Sequence, residues 1–207
     1  WMDHDYEGFW QGIAVHNGDP MTNADYDNGM ASLISGYPSG IVDRGPDIDP
    51  GDFKQDFLQR IVVQPKAIIE NGAELNGNIL TVNLTAGFTS SASGNFKLVC
   101  VLVEDSVTGF GSSYNQSNSY SGGSTLIDVD GTDWANLPSN VPDYMMIYRN
   151  VARAIAPSFV GDPLPSNYYA NGQSYSKTFD FTIDPSWDVN NLKIVSILID
   201  GNGEIDN

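Results

Sequence analysis

Residues 78–90, NILTVNLTAGFTS, alternate apolar and polar side chains, and 63–75, VQPKAIIENGAEL, do the same just before them. Side chains of an extended strand point to opposite faces in turn, so this pattern specifies a half-buried strand. Val82, Leu84 and Ala86 fall on one face; Thr81, Asn83 and Thr85 fall on the other. The Asn-Gly pair between the two runs is a hairpin turn signal, and together they predict an antiparallel pair. Three more stretches extend the pattern. NFKLVCVLVEDSV (95–107) reads as a more buried strand, SYSKTFDFTID (174–184) alternates strictly, and NLKIVSILID (191–200) reads as a buried strand followed by the turn GNGEIDN. YMMIYRNVARAIAP (144–157) suits either helix or strand. Six or seven strands at irregular spacing predict a β-sandwich of the immunoglobulin or fibronectin type over residues 61–207.

Residues 1–60 read differently. FWQGIAVH (9–16) predicts a buried strand ending in the turn NGDP. PMTNADYDNGMASLIS (20–35) predicts a helix with Pro20 near its start and Ala24, Met30, Leu33 and Ile34 facing inward; Gly29 weakens it. DPGDFKQDFLQRIVV predicts a helix capped at Asp49, with Phe53, Phe57, Leu58 and Ile61 on one side. Two Gly/Ser/Tyr- and Pro/Tyr-rich stretches, 109–125 and 157–173, read as long loops.

The formal charge of −17, from 26 acidic and nine basic residues, repels phosphate backbones and argues against nucleic acid as a partner. No run is long and apolar enough for a transmembrane helix. The single cysteine, Cys100, lies within the most apolar strand and has no Cys or His companions for zinc. No nucleophile elbow or catalytic triad is present, so no catalytic residue is assigned.

Candidate sites stand beside plainer readings. His16, next to Asp19, is an accessory base or ligand, or a strand-end cap. Asp128, Asp130 and Asp133 in DVDGTD are calcium candidates, although no EF-hand spacing is met. Tyr114, Tyr120, Trp134, Tyr168 and Tyr169 lie in the predicted loops and either stack on a protein or glycan ligand or pack down as anchors. Asp105-Ser106-Val107 has the form of an O-glycosylation acceptor used in Bacteroidetes, a hint of export.

IAVHNGDPMT, YPSGIVDR, YRNVARAIAPSFVGDPLP and WDVNNLKIVSILIDGNGEI, in that order, resemble the Omp28-related family of Bacteroidetes outer-membrane lipoproteins. Arg149-Asn150 stands where His-Asn is common in that family. The resemblance implies an α+β protein of two domains: a thioredoxin-like unit over 1–60 that lacks its first elements, then an immunoglobulin-like sandwich over 61–207. It implies an exported protein anchored to the outer membrane through a lipid on an N-terminal cysteine that this chain does not carry. Tyr37-Pro38 takes the place of the cis-proline turn, and the C-x-x-C pair of many members would lie upstream of Trp1. The reading that follows is a non-catalytic surface or periplasmic module binding a protein or glycan, with no cofactor unless calcium. The alternatives are an oxidoreductase-like protein with upstream cysteines and a glycan- or calcium-binding surface protein.

Overall fold

The computed structural model describes residues 2–128 and 130–207. Its hairpin is β1 (Ala67–Asn76) and β2 (Ile79–Phe88), joined through Gly77, whose φ of +62° glycine adopts without strain. The register pairs Ala67 with Phe88 and Asn76 with Ile79. Val82, Leu84 and Ala86 are buried, as the alternation requires.

β3 (Lys97–Glu104) is buried along nearly its whole length. Leu98, Cys100 and Leu102 enter one core, while Val99, Val101 and Val103 enter another on the opposite face. A strand covered on both faces carries a continuous apolar run, which explains KLVCVLV. The long loop after β3 carries β4 (Gln116–Ser117) and β5 (Asn140–Val141), which pair with each other. The ambiguous stretch resolves as strand β6 (Val151–Ala156), antiparallel to β3, followed by the two-residue β7 (Asp162–Pro163). β8 (Ser174–Thr182) pairs with β2, and β9 (Leu192–Ile199) pairs with β3 over residues 97–104. Because β9 takes one whole side of β3, β6 and β7 share the other. The sheet β1-β2-β8 and the sheet centred on β3 enclose a core of Leu84, Phe88, Phe96, Leu98, Leu102, Phe181 and Leu198.

The chain is thus mixed α+β and mostly sheet. Its helices are short: α1 (Met2–Asp5), α2 (Ala24–Met30) and α3 (Phe53–Arg60). α2 is shorter than its sequence suggests. It starts after Asn23, whose side chain accepts from Tyr26 N, rather than at Pro20. Tyr26 is the residue it buries, whereas Ala24 is exposed. α3 follows a 3₁₀ turn capped by Asp49 and buries Phe57, while Leu58 faces solvent. Residues 9–16 do not form a sheet strand. Among the described residues they meet β6 through a single parallel bridge, Ala14–Val151.

Candidate functional site

The N-terminal segment, α2, the proline turn and α3 surround a cleft of about 760 Å³. One wall is the extended stretch from Phe9 to Asn17 and another is the stretch from Tyr37 to Arg44. α2 contributes Tyr26 and Met30, and α3 contributes Phe53 and Phe57. Gly40 admits the Phe53 ring: a Cβ there would stand 2.8 Å from it.

The structure brings His16, Tyr37 and Pro38 to this one cleft. The Tyr37–Pro38 bond is cis. Tyr37 is 54% exposed at the mouth and donates its hydroxyl to Asp27 Oδ1 at 2.6 Å. Desolvation and the Asp27 carboxylate push its phenol up to about 12. His16 Nδ1 lies 2.6 Å from Asp19 Oδ2, and the ring meets Tyr148 edge-on at 5.4 Å. Asp19 Oδ1 also accepts from Met21 N, so the imidazole is held by a carboxylate that a turn has already fixed.

Asp43 and Arg44 both have φ near +55°, a costly conformation for residues with a Cβ. Asp43 accepts from Arg60 Nε at 3.1 Å, and Arg60 also reaches Glu204 and the Ile205 carbonyl, tying the C-terminus to α3. Arg44 differs from the other three arginines, each of which holds a carboxylate. Its guanidinium lies 3.8 Å over the Phe159 ring, beside the Tyr26 hydroxyl. Among the described residues its Nε and Nη2 are buried without a hydrogen-bond partner. Burial holds its pKa below the usual value for arginine.

The acids of DVDGTD do not converge. Asp128 accepts from Asp130 N, Thr132 N and Trp134 Nε1; Asp130 accepts from Arg149 Nη2 through both its oxygens; Asp133 accepts from Leu126 N and Ala135 N. Asp128 and Asp133 each cap local backbone while Asp130 pairs with Arg149, and among the described residues no three metal-ligating side chains cluster. The loop aromatics separate as well. Tyr169 is buried in the sandwich core, donating to the Leu164 carbonyl and accepting from Phe96 N. Tyr114 and Trp134 pack on a small core of Met21, Val141, Met146 and Tyr148. The Tyr168 ring meets Tyr175 at a tilt with centroids 5.2 Å apart, and Tyr120 is exposed. A side chain that anchors a long loop looks, in sequence, like one that awaits a ligand. Cys100 sits in the sandwich core, away from the cleft, and burial pushes its thiol up to about 12.

A sequence model of the family Outer membrane protein Omp28 matches residues 29–207. The chain belongs to the Omp28 outer membrane protein family. No curated protein matches it. Among solved structures, HBP35 of Porphyromonas gingivalis is similar in fold, with a TM-score of 0.67 at 14% identity. The similarity covers 93% of this chain and 60% of that one, so this Omp28 chain spans about three fifths of its neighbour's length. Among the described residues no helix is long and apolar enough to cross a membrane.

Sequence reasoning about this Omp28 chain missed Arg44 and the α3 phenylalanines as cleft residues. Phe53 and Phe57 read as one face of a helix, and nothing local says that this face borders a cleft. It also missed Phe110 and Tyr144, which are 93% and 81% exposed. Their loops are clamped together by Asp143, which accepts from Gly111 N at 2.6 Å.

Proposed function

We propose that this chain is a non-catalytic surface or periplasmic binding module of an exported, outer-membrane-anchored protein, with a thioredoxin-like unit over 1–60 and an immunoglobulin-like sandwich over 61–207. The observation that carries this reading is the cleft itself. It gathers His16, the Tyr37-Pro38 turn and a set of apolar side chains, yet the one thiol of the chain lies in the sandwich core with its pKa raised. Attack on a disulfide needs a thiolate at the site. What the cleft offers instead is apolar area, with exposed rings of Phe9 and Tyr37 at its edge. The ligand is a polypeptide rather than a sugar, because the cleft is lined mainly by aliphatic and aromatic side chains.

Selection of a displayed random-peptide library on the immobilised chain tests the reading. Recovered peptides are expected to lose at least about tenfold in affinity for the Phe9→Ala/Tyr37→Ala variant, whose changes are at the surface. Peptides that bind this variant as well as the parent would overturn it. The second reading, an oxidoreductase whose C-x-x-C pair precedes Trp1, rests on the Omp28 kinship and on the place of Tyr37-Pro38 beside His16. It predicts insulin reduction by a longer chain that carries the pair, and inactivity of that chain removes it.

A further inference from the structure

Phe110 lies in the long stretch between β3 and β6 and is almost wholly exposed, so its ring adds little to the packing of this chain. The backbone on either side of it is nevertheless fixed. Val107 exchanges hydrogen bonds with Tyr148 at 2.9 and 2.8 Å. Gly109 lies against the Tyr114 ring, where a Cβ would stand 2.2 Å from it, and the Tyr114 carbonyl accepts from the Tyr148 hydroxyl. Gly111 takes a φ of +97°, open to glycine, and donates to Asp143 Oδ2 at 2.6 Å. The other oxygen of that carboxylate accepts from Tyr144 N at 2.9 Å. One side chain therefore holds the backbone at both rings, and Tyr144 and Met145 are exposed beside Phe110. The N–H groups of Asp143, Met145 and Met146 are bonded as well, to Asn115 Oδ1, the Pro142 carbonyl and the Asp143 carbonyl. The core beneath comes from residues 107–151 with Met21 added.

We propose that Phe110 and Tyr144 are paired anchors for a partner protein whose apolar pocket is rimmed by lysine or arginine. Aromatic rings on a backbone that is already ordered bind with little further loss of entropy, which is the character of an interface hot spot. Charge selects the occupant. From residue 98 to residue 148 the chain carries Glu104, Asp105, Asp128, Asp130, Asp133 and Asp143 and no lysine or arginine. Arg153 and Arg149 meet Glu104, Asp105 and Asp130. Among the described residues Asp128, Asp133 and Asp143 are met by N–H groups alone, and Asp143 sits between the attachment points of the two rings. A second copy would bring acid to acid, each with a formal charge of −17, and an anionic bilayer is repelled for the same reason. A basic rim is the complement. None of Phe110, Tyr144 and Met145 lines the cleft, so this surface is independent of the peptide-binding reading above.

Site-specific photocrosslinking tests the proposal on the full chain produced in a Bacteroidetes host. The probe is p-benzoylphenylalanine in place of Phe110 in one sample and of Tyr144 in another, with exposed Val62 replaced as the control. Both ring positions are expected to join the same partner protein, on a peptide whose apolar residues are flanked by lysine or arginine, and the control is not. That partner, purified, should bind the Phe110→Ser/Tyr144→Ser variant at least about tenfold more weakly than the parent, and added salt should weaken its binding to the parent. The variant should melt as the parent does, and a lower melting temperature would show that the rings serve the fold instead. Cross-links to an acidic peptide, to lipid, to a second copy or to the protein's own polypeptide in a longer natural form overturn the proposal. So do cross-links from the two positions to different proteins, a partner that binds both forms equally, and the absence of any cross-link.

Discussion

Glu104 ends β3 almost fully buried, at 4% exposure, in a chain whose other acids are largely at the surface. Its Oε2 lies 2.6 Å from Arg153 Nε, and its Oε1 accepts from Asp188 N at 2.8 Å. Removing one partner of such a pair leaves an uncompensated charge, so Glu104→Ala should lower stability by about 3 kcal/mol, with a Glu104→Met/Arg153→Met pair losing less, both read by urea unfolding. Arg44 is the opposite case, a partly buried cation that, among the described residues, no carboxylate meets. Arg44→Met keeps its contact with Phe159 and removes the charge, and it should raise stability by roughly 1 kcal/mol. Tyr37 and Tyr148 bear on alkaline pH. Both phenols are pushed up to about 12 from an ordinary 10.0, led in each case by burial, with the Asp27 carboxylate helping at Tyr37 and the Asp19 carboxylate at Tyr148. A folded-state pKa above the unfolded one favours the protonated form. The associated stability is complete below pH 10 and is lost as pH rises through 12. Phenolate absorbance should therefore show two tyrosines titrating late, and melting temperature should fall across that window. None of these partnerships was legible in sequence, since Glu104 and Arg153 stand far apart in the chain and meet only across the β3–β6 ladder.

At the scale of elements, the hairpin was readable because the side-chain period of a strand is two, and Val82, Leu84 and Ala86 obey it. β6 was not, because YMMIYRNVARAIAP has apolar residues at both helical and strand spacings, and its pairing with β3 decided the matter. The N-terminal stretch 9–16 has strand composition yet, among the described residues, pairs only at Ala14, so composition did not suffice to make it a strand. α2 shows why its glycine belongs there. A Cβ on Gly29 would sit 2.1 Å from the Phe159 ring. Gly29→Ala improves helix propensity but forces Phe159 off Tyr26, with which it packs edge-on at 5.6 Å. The net effect should be a loss of about 2 kcal/mol in denaturant titration. A gain would show that Phe159 relocates at no cost.

Over the whole molecule, the N-terminal layer and the sandwich share a core. Val99, Val101, Val103, Ile197 and Ile199 face away from the sandwich interior and are covered by Tyr26, with Ile13, Val15, Met30 and Phe159 packed alongside. A fragment of residues 61–207 would bare this sheet face. It should bind a hydrophobic dye and aggregate when the intact chain stays soluble, and a monodisperse, dye-negative fragment would refute the coupling. The sequence by itself determined what repeats along the chain: the hairpin, the strong burial of β3 and the place of Cys100 within it. It also carried the family resemblance, because ordered motifs survive where overall identity does not. Tertiary structure alone decided which residues border the cleft, which backbone groups and side chains the DVDGTD acids meet, and which loop aromatics pack into a core. Those outcomes depend on contacts between residues distant in sequence, and a side chain's local pattern is the same whether its partner is a loop, a ligand or water.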